Sequence, residues 1–208
     1  MAATKTATAK SSTAKKTPER KAGTAKPRSR VARKSARAAA KPADAIKLLK
    51  DDHREVKGWF KEYEKLEDDG AKQALADKIC LALTVHTQIE EEIFYPAARG
   101  EIDDDDLLDE AEVEHASAKQ LIAELKEMKV GDRLFDAKVT VLGEYIDHHV
   151  EEEEKEMFPE SRDSDLDLKA LGIQLAERKA ELMAAAGANA RGRDFGVPAN
   201  PKRGALTS

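Results

Sequence analysis

From Asp44 onward, apolar residues recur every three or four positions, the spacing that lines one face of a helix. Asp44 follows Pro42-Ala43 and can cap a first helix running to about Leu66, with Ile46, Leu49, His53, Val56 and Phe60 on one face. Asp68-Asp69-Gly70 reads as a stop. A second helix carries Leu75, Ile79, Leu83, His86, Ile89, Glu90 and Ile93, and its pattern fades near Pro96 and Gly100. The third, from about Asp106 to Met128, presents Leu108, Ala111, His115, Ile122 and Leu125, and Val130-Gly131-Asp132 breaks it. A fourth includes Leu134, Val141, Tyr145, His149, Glu153 and Met157 before Pro159. A shorter segment, roughly Asp165 to Ala186, has Leu166, Leu168, Leu171 and Leu175.

Four long helices with short connections predict an all-α, up-down-up-down four-helix bundle over residues 44–160. A helical extension over 161–187 would supply a short fifth helix, and residues 188–208 read as an irregular tail. Residues 1–43, rich in Lys, Ala, Thr and Pro, offer almost nothing to bury except alanine, so a disordered arm is expected there. The arm resembles the tails of linker histones.

Charge divides the chain at the same boundary. The arm holds thirteen Lys/Arg against the single acid Glu19, a net of about +12, while the remainder is about −17. Such a basic density attracts phosphates in a salt-dependent, sequence-independent way, so DNA or another polyanion is a candidate partner. The arm has too few apolar residues beyond alanine for an amphipathic transit helix. The lone Cys80 excludes an internal disulfide and a cysteine-based zinc or iron–sulfur site. No apolar run is long enough to span a membrane and no secretory signal is visible, so a cytoplasmic protein is expected, nucleoid-associated if the arm engages DNA.

The histidines locate the chemistry. One half of the chain reads Asp52-His53 and then HTQIEEEIFYP from His86 to Pro96; the other reads Glu114-His115 and then HVEEEEKEMFP from His149 to Pro159. Each half therefore has an acid-His pair, then His-x-x-x-Glu, then an aromatic group and a proline ten residues past the second His. His53 and His86 lie about equally far from the turn near Gly70, and His115 and His149 from Gly131, so antiparallel helices bring each pair level. His86/Glu90 and His149/Glu153, each four apart, share a helix face. Four imidazoles and two carboxylates thus converge on one layer. Carboxylates buried without partners cost several kcal/mol or take up protons. Two divalent cations would supply the missing charge, with Glu90 and Glu153 bridging. A mixed nitrogen and oxygen set suits iron or manganese and tolerates zinc.

With its two His…His-x-x-x-Glu modules over about residues 44–160, the sequence resembles the hemerythrin family, in particular the HHE cation-binding domains. The resemblance implies a non-haem pair of iron ions with an oxo or hydroxo bridge, ligated by His53, His86, His115 and His149 and bridged by Glu90 and Glu153. It also implies a small ligand: O2, NO, peroxide or iron itself. Oxygen-carrying hemerythrins have a further histidine four residues after the one in the third helix; here that position is Lys119. Sensing, storage, or peroxide or nitric oxide chemistry gains weight over reversible oxygen carriage, and peroxidase- or oxidase-like turnover stays open. The alternative reading makes the arm the functional part, binding DNA, with the bundle as scaffold or redox sensor. A ferritin-like centre needs two Glu-x-x-His motifs, and Glu112…His115 supplies one.

Other residues read as ordinary structure. Tyr145, four before His149, is expected to face the interior near the metals, and His148 to be solvated or to support a ligand. Glu91, Glu92, Glu151, Glu152 and Glu154 read as the wet face of their helices rather than an iron-access path. Trp59, Phe60, Phe94 and Phe158 read as packing, and Cys80 as an inert, semi-buried thiol.

Overall fold

The structure is a computed structural model that describes residues 44–193, with side chains to residue 187. The expected disordered arm, residues 1–43, and residues 194–208 of the expected irregular tail lie outside them. Helix α1 spans Ala45–Tyr63, and the Asp44 carboxylate accepts the Lys47 backbone N–H at 2.8 Å as its cap. Asp68 caps the next helix in the same way, accepting the Ala71 N–H at 2.8 Å, so α2 spans Asp69–Ile89. Asp68-Asp69-Gly70, expected as a stop, is therefore a start. An aspartate whose carboxylate can reach the N–H three residues on satisfies a free donor of the first turn, and the reversal itself uses residues 64–68.

Both long helices expected to end near a proline instead pass through it. Helix α2 widens into a π turn at Glu90–Phe94 before a short helix α3, Tyr95–Ala98. After helix α4 (Asp106–Lys126), helix α5 (Phe135–Glu152) widens at Glu153–Met157 before α6, Phe158–Asp163. The prolines explain this. Pro96 and Pro159 have no N–H to give, and in an α-helix their rings would strike the carbonyl four residues back; widening the preceding turn relieves the clash. In each turn a five-residue hydrogen bond forms instead, from Tyr95 N–H to the Glu90 carbonyl and from Phe158 N–H to the Glu153 carbonyl. Gly100, just past α3, and Gly131, in the turn between α4 and α5, have φ of 80° and 96°, a conformation glycine adopts without strain.

Helices α1, α2, α4 and α5 neighbour one another in a closed ring, the four-helix bundle. Helix α7, Leu168–Arg193, lies along α1 and α2 and buries Leu171 and Leu175. It continues beyond Ala186, because an alanine-rich run favours helix and Gly187 and Gly192 cost only about 1 kcal/mol each. The core forms two apolar clusters. One, around Ile79, Leu83, Ile122, Phe135 and Leu142, lies toward the α1–α2 and α4–α5 turns; the other, around Ile46, Leu49, Phe94, Leu108, Phe158 and Leu175, fills the opposite end. Among the described residues no helix is long and apolar enough to cross a membrane.

The buried face of α5 differs from the expected one. Phe135, Val139, Leu142, Ile146 and His149 point inward, whereas Leu134 and Tyr145 are exposed, Tyr145 by 48%. Counting back from His149 in steps of four drifts around the helix; alternating steps of three and four keep to the 3.6-residue period. Tyr145 is therefore not an interior residue.

Candidate metal centre

Between the two apolar clusters lies a polar layer. His53, His86, Glu90, His115, His149 and Glu153 are all buried, and the two glutamates are 0% and 1% exposed. The structure brings together all six residues singled out in the sequence. His53 Nε2 and His86 Nε2 are 3.0 Å apart, and His115 Nε2 and His149 Nε2 are 3.1 Å apart. Glu90 lies between the pairs, with Oε1 3.2 Å from His86 Nε2 and Oε2 3.5 Å from His115 Nε2. Glu153 Oε2 does the same from the other side, 3.2 Å from His53 Nε2 and 3.6 Å from His149 Nε2. Two groups of donors result: His53, His86, Glu90 and Glu153, and Glu90, His115 and His149.

Each outward nitrogen faces an acid, and three of the four are held by a hydrogen bond. His53 Nδ1 is 3.1 Å from Glu154, His115 Nδ1 2.9 Å from Glu91 and His149 Nδ1 2.8 Å from Glu114. His86 Nδ1 is 3.5 Å from Asp52, too long for a good hydrogen bond, and Lys179 of α7 grips the other Asp52 oxygen. A carboxylate accepts only, so Nδ1 of His53, His115 and His149 must carry the hydrogen, and such a ring, when neutral, has its Nε2 lone pair aimed inward. Four Nε2 atoms therefore meet carboxylate oxygens. Both Glu90 oxygens and Glu153 Oε2 lack a hydrogen-bond donor altogether.

Such an arrangement is costly for the protein alone. Burial is the largest influence and opposes the His86 imidazolium, yet Glu90, Asp52 and Glu153 together outweigh it and lift the group to about 10. His149 is lifted to about 9, burial being overcome by Glu153 and Glu114. Burial and the adjacent charge of His149 push His115 down to about 2. Burial, with Glu153 close by, raises the Glu90 carboxyl, while His149 and His53 hold the Glu153 carboxyl down despite its burial. Protons thus crowd into a space that divalent cations fit by charge and by donor type.

Several supporting residues escaped the sequence reading. Glu91 and Glu154, expected on wet faces, instead hold imidazoles; only the repetition of an acid directly after Glu90 and Glu153 hints at it. Asp52 and Glu114, visible as acid-His pairs, support not the histidine beside them but the one on the neighbouring helix. Tyr95 was also missed. Its buried hydroxyl donates to Glu153 Oε1 at 2.9 Å and lies 3.3 Å from His115 Nε2. Phe94 and Phe158 are core residues, as expected, and Cys80 is fully buried, deeper than expected. His148 is exposed, 3.5 Å from Glu114 and 3.4 Å from Glu152. Lys119 Nζ pairs with Glu91 at 2.7 Å and so faces the support of His115, not the donor layer.

The model of the Hemerythrin HHE cation binding domain matches residues 44–161, more than half of the chain. A DNA nickase of Nostoc sp. is 29% identical over 120 residues, which make up 56% of this chain and 33% of the relative. The chain thus spans about a third of that protein's length. A crystal structure of a hemerythrin HHE cation binding domain-containing protein from Mycobacterium kansasii aligns with a TM-score of 0.61 at 23% identity, covering 72% of this chain and 93% of that one, a likeness of fold.

Proposed function

The chain belongs to the hemerythrin HHE cation-binding domain family, and from that premise we propose that its bundle holds two iron ions and binds or senses O2, NO, peroxide or iron. One observation carries the reading: four buried Nε2 atoms and three donor-less carboxylate oxygens meet in one layer, every ring backed by an acid. His53 and His86 would hold one ion and His115 and His149 the other, with Glu90 and Glu153 between the two pairs. A bound iron pair supplies one-electron redox chemistry and a coordination position for a small ligand. Manganese and zinc satisfy the same donors.

The protein's own contributions are orientation and exclusion of water. Glu154, Glu91 and Glu114 fix the tautomers of His53, His115 and His149 and make those imidazoles better donors, while Asp52 stands 3.5 Å behind His86. Val56, Leu83, Ile146 and Val150, with the four histidines, line a cavity of about 10 Å³, room for one molecule of water's size. That size and apolar lining favour a diatomic or peroxide ligand over a larger substrate. Elemental analysis with an absorption spectrum tests the reading. About two irons per chain and near-ultraviolet charge-transfer bands are expected, and both should disappear in Glu90→Ala and His149→Ala. Unchanged metal content in the two variants would defeat it. Peroxide turnover by the iron-loaded protein distinguishes an enzyme from a sensor.

A second reading concerns residues 1–43, whose net charge of about +12 favours a polyanion such as DNA. The DNA nickase among the relatives is in keeping with it, although the match reaches only a third of that protein. Deletion of residues 1–43 should abolish DNA retention, and retention should fall steeply with salt. Full-length protein that ignores DNA at low salt would end this reading.

A further inference from the structure

The two halves of the centre share an acid-His pair, a His-x-x-x-Glu-Glu run and a proline ten positions past the second histidine, but one position before that proline one has Tyr95 and the other Phe158. Both rings are buried and both stack on an imidazole. Phe158 lies 5.8 Å from His53 with an interplanar angle of 7°, and Tyr95 lies 5.4 Å from His115 at 29°. Only Tyr95 carries an oxygen into the layer. We propose that the Tyr95 oxygen is a donor to the metal held by His115 and His149, and to that metal alone, so that the two metal positions are chemically unequal.

Distances carry the argument. Bonds of about 2.1 Å at right angles put neighbouring donors about 3 Å apart. The Tyr95 oxygen stands 3.3 Å from His115 Nε2 and 2.9 Å from Glu153 Oε1, the spacing of adjacent corners of one coordination shell. His115 Nε2 has the same relation to His149 Nε2 at 3.1 Å and to Glu90 Oε2 at 3.5 Å. Helix α4 offers Lys119 one turn beyond His115, and that side chain is engaged with Glu91. The phenol thus supplies an oxygen on the His115 side of the layer, where α4 gives no second donor. At the matching corner beside His53, Phe158 leaves the shell without a further protein donor.

Binding would exchange one partner of the oxygen for another. The phenol gives up the proton it now shares with Glu153, which leaves to water, and an oxygen–metal bond replaces the O–H bond. No oxidant or reductant is needed.

The inference rests on the metal pair proposed above, and the test separates the two. Full-length protein is loaded with ferric iron, and the metal is counted before the spectrum is read. Wild type should show two irons per chain and a visible phenolate-to-iron charge-transfer band. Tyr95→Phe should lose that band while keeping the near-ultraviolet bands and at least one iron. Should Tyr95→Phe fold poorly, resonance Raman excitation of wild type within the band, with phenolate ring vibrations expected, decides without a variant. Two bound irons with no phenolate signature would reduce Tyr95 to a hydrogen-bond donor and overturn this inference alone. Protein that takes up no metal would overturn both readings.

Discussion

Glu114 holds His149 from behind: its Oε2 accepts the Nδ1–H hydrogen bond at 2.8 Å, across from α4 to α5. Its Oε1 lies 3.5 Å from the exposed His148. An acid in this position makes its imidazole a stronger donor and fixes the ring, and loss of such a partner typically costs about 10- to 100-fold in metal affinity. Glu114→Ala should weaken metal binding by about that factor in a chelator competition and leave helix content unchanged. Equal affinity in variant and wild type would show that the contact does nothing for the ring.

Glu90 would serve the proposed metal pair, and without metal its buried carboxylate is poorly satisfied. Both oxygens are buried and lack a donor, and burial together with Glu153 raises the carboxyl above its ordinary value. A group raised in this way contributes its stability below the unfolded value, about 4.3 for glutamate, and loses it as pH climbs through the folded one. In the metal-free protein this contribution should therefore shrink as pH climbs above about 4.3. Glu90→Gln should flatten that loss and, metal-free at neutral pH, be more stable by about 1–3 kcal/mol in urea unfolding, the usual cost of an unsatisfied buried group. The same variant should fail to gain stability when metal is added, which wild type should do.

Two glycines should respond to alanine with opposite signs. Gly58 sits exposed within α1, where an added Cβ meets nothing within 4 Å, so Gly58→Ala should stabilise by about 0.5–1 kcal/mol. Gly131 also has open space, yet its φ of 96° strains any L side chain, so Gly131→Ala should destabilise by about 1 kcal/mol. Thermal melts of both variants measure the difference.

Cys80 should be silent in the folded protein. Burial pushes its thiol up to about 11, so very little thiolate exists at neutral pH and reagents cannot reach it. Alkylation should proceed in urea and be negligible under native conditions; rapid native labelling would mean that α2 opens.

The donor layer was legible because its logic is nearly one-dimensional. His-x-x-x-Glu spacing and equal distances from a turn hold for any pair of antiparallel helices, so His53, His86, Glu90, His115, His149 and Glu153 could be placed before any coordinates. Their supports could not. Glu154 reaches His53 across 101 residues of chain, a pairing set by how the helices pack. Tyr95 was hidden by local geometry. An α-helix would put it about 140° around the axis from Glu90, and the π turn rotates it back toward the layer. The signal was present in Pro96, read as an ending when it is the cause of the wider turn. On α5 the rule of four was applied where the true period is shorter, which exchanged Tyr145 for Ile146.

Lys179, far along the chain on the last helix, grips the same Asp52 that stands behind His86. Helix α7 is thereby linked through Asp52 to one imidazole of four. Anything that lifts α7, whether a truncation, a bound molecule or a competing anion, would release Asp52 and let it close on His86. Half of the centre could then be retuned from a distance while the half backed by Glu91 and Glu114 stayed as it was.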